Sequence, residues 1–236
     1  MYFPRSGNGG YQVTGYDIQF RYESATDRLH GQTTITAQAT EDLSALKLDL
    51  RLPASVVTVD DRPAAIHQDG GKLQVTPAVA VRAGAPMTVR VDYSGVPSAI
   101  PNRHCGASPW LRTADGAVAV GEPDIAPWWY PCNDHPLDKA TFAITAVVPT
   151  ALQVISNGAL LGSGTGRAGL AAVALAAQRA DGHLPGLRRD RSLRHPAPRH
   201  SLRPVPSRLR PDAPPAGRRR RPSLGRADTA NHRVPV

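Results

Sequence analysis

A stretch of about twenty residues, 121–142, concentrates side chains that could do chemistry. It holds two Trp, one Tyr, one Cys and four Pro among several charged residues. No ordinary strand or helix needs that mixture, and loops of this kind on a rigid scaffold are where binding residues gather. This loop is therefore the candidate functional region of the chain.

Metal binding and nucleophilic catalysis have little support in the rest of the sequence. His104 and Cys105 would form a Cys/His cluster with Cys132 and His135 only if two loops converge. A nucleophile elbow, a P-loop and a dinucleotide fingerprint are all absent. Two cysteines are too few for a disulfide framework, and a single Cys105–Cys132 bridge stays an open possibility.

The net charge of +9 divides unevenly along the chain. Residues 161–236 contain sixteen Arg, no Lys and four acidic residues, a net charge of 16 − 4 = +12. The remainder holds 12 basic and 15 acidic residues, a net charge of −3. The positive net charge of the whole chain therefore gives no reason to expect that residues 1–160 bind a polyanion.

Apolar and polar residues alternate over most of the first 155 residues, which predicts half-buried strands. Turn sequences separate these segments, and Asp69-Gly70 is a hairpin signal. Strands at roughly ten-residue spacing predict an all-β domain, an antiparallel β-sandwich or barrel-like sheet. The alternating segments are residues 16–22, 29–39, 46–52, 56–59, 73–75, 87–93, 141–148 and 152–155.

The composition changes after residue 165. The Ala-rich residues 168–180 favour a helix by propensity. Ten prolines follow from Pro185 onward, together with many arginines. Such a composition breaks helix and sheet and buries too little apolar surface to order the chain. We therefore predict a β domain over residues 1–165, incomplete at its carboxy-terminal edge, and an irregular or disordered Arg/Pro/Ala-rich tail over 166–236.

The candidate loop resembles the E-P…[FWY]-P-C-x-D-x-P-x-x-K-A-T-[FY] signature of the aminopeptidase N family of zinc metallopeptidases. Pro131, Cys132, Asp134, Pro136 and Lys139 carry the match. His135 stands where the commoner form has a second acid. The resemblance covers about two-thirds of the chain and implies the amino-terminal β domain of such an enzyme, which docks on a separate catalytic domain.

The resemblance also assigns a role to Glu122. In this family a Glu just ahead of the P-C-x-D loop binds the free α-amino group of the peptide. A carboxylate in a partly dry cleft can hold an ammonium by a charge-assisted hydrogen bond. The alternative is a solvated loop Glu. Asp134 and Lys139 are expected to hold the loop by hydrogen bonds or an ion pair, and Trp128, Trp129 and Tyr130 are expected to pack it against the sheet.

Zinc belongs to the part of the family enzyme that this chain lacks. Family members bind the metal through H-E-x-x-H on a helix with a further Glu downstream, and no such string occurs here. We therefore expect no catalytic residue, no metal ligand and no cofactor in this chain, with zinc confined to the intact parent. The chain alone should be inactive.

The tail gives a different amino-acid sequence when its back-translated codons are read in a shifted frame. Back-translation of residues 170–195 with GC-rich codons, read one nucleotide later, gives approximately W-R-R-W-R-W-R-P-S-A-P-M-A-T-Y-L-A-S-A-A-T-G-R-F-D. This string looks like the segment that follows the signature loop in aminopeptidase N relatives. The hypothesis is a frameshift between residues 166 and 170.

Two other functions stay open from the sequence. One is a free-standing β-sandwich binding module whose loop around Trp128 contacts a protein or carbohydrate. The other is salt-sensitive, non-specific nucleic-acid binding by the arginines, although no aromatic residues interleave them to support a specific site.

Targeting signals are not visible in the chain. No run of about 18 apolar residues or signal-peptide core occurs, so we expect no membrane partner and a cytoplasmic location by default. A targeting segment could precede Met1 in the parent.

Overall fold

A computed structural model describes residues 7–102, 106–114, 116–119, 125–135, 138–165 and 169–177. These residues all fall within one compact unit, Met1–Gly186, and form an all-β domain. Two single-turn 3-10 segments, Pro97–Ala99 and Ala126–Trp128, are the helical elements of this part of the chain.

Thirteen strands make up the described sheets. They are β1 (Tyr11–Glu23), β2 (Arg28–Ala39), β3 (Leu46–Asp49), β4 (Ala54–Val59), β5 (Arg62–Pro63), β6 (Ala65–Asp69), β7 (Lys72–Thr76), β8 (Pro86–Gly95), β9 (Trp110–Arg112), β10 (Ala117–Ala119), β11 (Thr141–Pro149), β12 (Ala159–Thr165) and β13 (Leu170–Ala177). The predicted strands of residues 16–93 and 141–148 are confirmed. The strand predicted over 152–155 is wrong, since only Leu152 and Val154 there pack on the core.

Eight strands form the main sheet, in the order β12-β13-β11-β1-β2-β8-β4-β5. Its pairs are antiparallel except β1 with β11, which run parallel with Tyr16 opposite Phe142. Local alternation could not predict that pair, because nine strands lie between β1 and β11 in the chain. The parallel pair places the candidate loop, which precedes β11, at the start of β1.

A three-stranded sheet, β3-β7-β6, packs against the main sheet as the second layer of the sandwich. Leu48, Leu73 and Val75 from the small sheet share one core with Ile18 and Ile35 from the large one, each no more than 1% exposed. The predicted Asp69-Gly70 hairpin is confirmed: Gly70 and Gly71 connect β6 to β7 with φ of 56° and 89°. Positive φ at both central residues is the geometry that favours Gly in a two-residue hairpin.

The helix predicted over residues 168–180 is wrong for Leu170–Ala177, which forms β13 between β11 and β12. Pairing with two strands overrides the helical propensity of alanine, because tertiary context routinely outweighs propensity. The sheet therefore extends beyond the predicted boundary at residue 165. The expected disorder of the Arg/Pro-rich segment lies outside the described residues and stays a prediction.

A buried carboxylate fastens the β1–β2 turn to the two-stranded sheet β9-β10. Asp27 is 1% exposed and has a φ of 54°, a conformation that Asp tolerates better than most residues. Its Oδ1 accepts hydrogen bonds from Tyr22 Oη at 2.7 Å and Trp110 Nε1 at 3.2 Å. Burial raises the pKa of Asp27, but hydrogen bonds from Ser98, Tyr22 and Trp110 lower it by more, so the pKa lies below its ordinary value.

We expect Asp27→Asn to lower the free energy of unfolding by about 1–3 kcal/mol at pH 7, since charged acceptors make the stronger hydrogen bonds. A lowered folded-state pKa stabilises the protein above the unfolded-state pKa, about 4, and this contribution is lost as pH falls through the folded value. The difference between wild type and variant should therefore shrink below pH 4 in urea titrations followed by tryptophan fluorescence.

Asp69→Asn, at an exposed position, is the matched control and should change stability by less than about 0.5 kcal/mol. A difference between wild type and Asp27→Asn that persists unchanged to pH 2 would contradict a role for the Asp27 charge.

Candidate functional site

The signature loop, residues 131–139, is attached to β3 by a pair of backbone hydrogen bonds. Asp49 N donates to Cys132 O at 2.7 Å, and Cys132 N donates to Asp49 O at 3.0 Å. Pro131 and Cys132 are buried at this point. Cys132 therefore forms an isolated antiparallel bridge with β3 of the small sheet. This bridge fixes the position of the loop relative to the small sheet.

The Asp49 carboxylate secures the loop from below. Its side chain is 9% exposed and meets Lys72 Nζ at 2.5 Å. It also accepts hydrogen bonds from Asn8 Nδ2 at 2.9 Å and from the backbone N–H of Asp134 at 3.2 Å. Lys72 in turn donates to Gly7 O at 3.0 Å. One carboxylate thus ties together the amino-terminal segment, β7 and the loop.

A second polar cluster holds the other side of the loop against β1. Asn133 N donates to Tyr16 Oη at 2.9 Å, and Asn133 Nδ2 donates to Asp138 Oδ2 at 2.5 Å. Asp138 Oδ1 also accepts from Val13 N at 3.2 Å. Burial raises the pKa of Asp138, and these two hydrogen bonds and the nearby His135 offset only part of the rise.

Cys132 has the environment of a structural thiol. It is 2% exposed and free of a disulfide. Burial raises the pKa of the thiol well above its ordinary value, and the neighbouring Asp134 and Asp49 carboxylates raise it further, against a smaller opposing effect of Lys72. A thiol that stays protonated is a poor nucleophile and a poor metal ligand. Its possible bridge partner, Cys105, lies outside the described residues.

The aromatic residues ahead of the loop mainly pack it, as predicted. Trp128 is 1% exposed, donates from Nε1 to Ile100 O at 2.8 Å and has the Arg51 guanidinium 4.8 Å from its ring centroid. Tyr130 is 8% exposed and meets the Tyr16 ring edge-on at 5.7 Å. Trp129 is only partly buried, and its ring meets the Tyr130 ring edge-on at 4.4 Å.

An open cavity of about 1100 Å³ borders the loop. Trp129, Tyr130 and Phe142 give it an aromatic wall, and Asp138 and Lys139 give it a charged rim. Its other lining residues include Ala119, Ile125, Ile144, Ser156, Asn157, Gly158, Ala159, Leu161 and Ala176. A concave, largely apolar space with a few polar groups at its edge is the usual form of a ligand or domain contact.

The predicted site residues divide between those the structure describes and those it does not. Pro131, Cys132, Asp134 and Lys139 are described and lie in the loop, where Pro131 and Cys132 are buried and Lys139 is exposed. Glu122 and Pro136 lie outside the described residues, as do His104 and Cys105. The sequence reasoning missed Asp49 and Lys72, because Asp49 occupies an apparently outward place in an alternating strand and nothing local shows that it is buried.

Zinc ligands are not assembled in the described part of the chain. No group of three or more His, Cys, Asp or Glu side chains there could hold a metal ion. The residues present therefore do not fit the zinc site of a metallopeptidase, and no chemical step is assigned to a metal on this chain. No helix among the same residues is long and apolar enough to span a membrane.

Solved structures similar to this chain include M1 zinc metallopeptidases. The enzyme from Deinococcus radiodurans matches with a TM-score of 0.66 and 29% identity over 74% of this chain and 40% of its own. A variant of it bound to a Tyr-Ser-Ala substrate gives the same values. A two-domain M1 zinc metallopeptidase variant bound to L-arginine also matches with a TM-score of 0.66, at 29% identity.

The match is confined to the amino-terminal domain of those proteins, so the chain spans about 40% of their length. No protein-family model and no curated protein sequence matches the chain. The structural likeness therefore supports an aminopeptidase N-like β domain, in agreement with the expectation from the signature loop.

We expect Lys72→Met to lower the free energy of unfolding by about 1–3 kcal/mol, because it leaves the buried Asp49 carboxylate without its counter-ion. The 35% exposure of the Lys72 side chain keeps the loss below that of a fully buried pair. Hydrogen exchange should also quicken at the Asp49 and Cys132 amides, measured by mass spectrometry of peptic fragments.

Lys47→Met, at an exposed position of the neighbouring strand β3, is the control. Equal effects of the two substitutions would mean that the Asp49–Lys72 pair does not secure the loop.

Proposed function

We propose that this chain is the amino-terminal, substrate-anchoring domain of a zinc aminopeptidase, a metallopeptidase that removes residues from the free end of peptides. The observation that carries the proposal is the fixed loop with its P-C-x-D-x-P-x-x-K-A-T-F sequence, on a fold similar to the amino-terminal domain of M1 zinc metallopeptidases. Catalysis and the metal belong to a domain that these residues do not form.

Glu122 is the residue through which the domain would hold its substrate. It stands ten residues before Cys132. Ala119 and Ile125, the nearest described residues on either side of it, both line the cavity beside the loop. A carboxylate at the edge of such a cavity would pair with the α-ammonium of a peptide and set which peptide bond reaches the catalytic domain.

The catalytic domain of the parent is the proposed partner of the cavity face. Trp129 and Phe142 line this cavity with aromatic side chains. Ile155, which precedes the lining residue Ser156 in the chain, is 90% exposed. An apolar surface of this kind normally marks a contact with another domain or protein. On this account the peptide substrate is bound at the junction, with one end gripped by this chain and the scissile bond at the metal.

The Glu122 role is tested in the parent enzyme expressed from a frame-restored gene. Glu122→Gln should reduce kcat/KM for an aminoacyl p-nitroanilide about 10- to 100-fold, the equivalent of one charged hydrogen bond. The exposed Glu41→Gln is the matched control and should leave kcat/KM unchanged. If Glu122→Gln matches wild type, the anchoring role is wrong even where the family assignment holds.

We also propose that the chain departs from its ancestral reading frame between residues 166 and 170, and the geometry of β13 supports this. Val173 lies opposite Ala146 of β11, and Leu175 lies opposite Ile144. Both side chains are therefore on the same face of the sheet as Ala146, which is 0% exposed. The shifted frame places tryptophan at positions 170, 173 and 175 and arginine at 171, 172, 174 and 176. Arginine and tryptophan therefore alternate between the two faces of the strand over residues 172–176, whereas the pair at 170 and 171 has the reverse order.

The alternation over residues 172–176 is what a strand that evolved in the shifted frame would give. Sequencing the locus tests it: we expect an open frame that continues past codon 170 and encodes an H-E-x-x-H motif. A stop codon shortly after the shift, with no such motif, would contradict the proposal.

A further inference from the structure

The chain contains two Asn-Gly dipeptides, Asn8-Gly9 and Asn157-Gly158. In such a pair the backbone nitrogen of the glycine can attack the side-chain amide carbon of the asparagine, because glycine has no side chain that obstructs the approach. The two sites have the same reacting residues, so a difference in their reactivity must come from the fold. The structure describes both dipeptides and allows a direct comparison.

Asn8 is held in one orientation by charged and polar partners. Its side-chain Nδ2 donates to Asp49 Oδ2 at 2.9 Å, and its Oδ1 accepts a hydrogen bond from Lys72 Nζ at 3.1 Å. Its backbone N–H donates to Asn133 Oδ1 at 2.6 Å. The Asn8 side chain must leave Asp49 and Lys72 before its amide carbon can approach the nitrogen of Gly9. Local opening of this network is therefore a precondition of any reaction at Asn8.

Asn157 lacks such restraint in the described part of the chain. Both Asn157 and Gly158 are exposed and lie immediately before β12. No residue that the structure describes forms a hydrogen bond with the Asn157 side chain or accepts one from the Gly158 N–H. The φ of Gly158 is 102°, a conformation that favours glycine. The reacting groups are thus open to each other and to water.

We propose that Asn157 is a site of spontaneous deamidation and that the fold protects Asn8 from the same reaction. The nitrogen of Gly158 forms a bond to Asn157 Cγ, and the bond from Cγ to the side-chain nitrogen breaks. The proton of the Gly158 N–H ends on the departing ammonia, and a cyclic succinimide remains. Water then adds to either carbonyl of the succinimide and opens the ring to aspartate or isoaspartate. The reaction consumes water and releases ammonia, with no oxidation or reduction.

The modification changes the cavity beside the signature loop, because Asn157 and Gly158 both line it. Either product puts a carboxylate where the chain has a neutral amide, in a cavity that already has Asp138 and Lys139 among its lining residues. Isoaspartate also adds a methylene group to the main chain just before β12. A chain that has aged in solution should therefore have a more negative cavity than a newly made one.

Peptide mapping of the full chain by mass spectrometry tests the proposal. The folded protein is incubated at mildly alkaline pH, which favours loss of the glycine N–H proton, and aliquots are digested with trypsin. Residues 140–167 form the tryptic peptide that contains Asn157, and residues 6–21 form the one that contains Asn8. We expect conversion of amide to acid to be at least about tenfold faster at Asn157, since the Asn8 hydrogen bonds must break first.

The same measurement in denaturing urea separates the effect of the fold from that of the sequence. Without the folded network the two sites should react at rates that agree to within about threefold. Asn157→Gln is the matched variant, because the longer side chain must close a larger ring. Its 140–167 peptide should stay unconverted over the period in which the wild-type peptide reacts.

Conversion at Asn157 that is no faster than at Asn8 in the folded chain would overturn the proposal. So would a ratio of the two rates that is the same in urea, or an unchanged rate for the 140–167 peptide in Asn157→Gln. These rates do not depend on Glu122 or on a catalytic domain, so the proposed function is tested separately.

Discussion

The ion pair between Asp49 and Lys72 is the contact on which the candidate site depends. A carboxylate that is 9% exposed is stable in its charged form only when its oxygens are paired. Asp49 meets that requirement with Lys72, Asn8 and the backbone of Asp134, which come from three separate segments of the chain. Its own backbone exchanges hydrogen bonds with Cys132. The loop is therefore positioned by one buried charge and its partners, not by regular secondary structure.

This arrangement suits a loop that is proposed to position Glu122, the residue ahead of it in the chain. Tyr130 and Trp128 fill the space below it, and Asn133 and Asp138 tie its far side to β1. Rigid support on several sides lowers the entropic cost of binding a ligand beside it.

Local patterns predicted the strands well, because alternation directly reports which face is buried. They could not predict the parallel β1–β11 pair, which depends on contacts far apart in the chain, or β13, where pairing overrides the propensity of an Ala-rich segment. For the site, the sequence located the loop through Cys132 and its neighbours. It did not reveal Asp49 or Lys72, since a charge in a strand is ordinarily exposed and only tertiary packing buries it.

The account is tested most directly by a crystal structure of the frame-restored parent with a bound peptide that has a free amino terminus. We predict that a Glu122 carboxylate oxygen lies about 2.7–2.9 Å from the α-amino nitrogen, the distance of a charge-assisted hydrogen bond. We also predict that the Asp49–Lys72 pair and the Asp49–Cys132 bridge hold the loop beside it. A peptide whose amino group is bound by another residue, with Glu122 directed into solvent, would contradict the account.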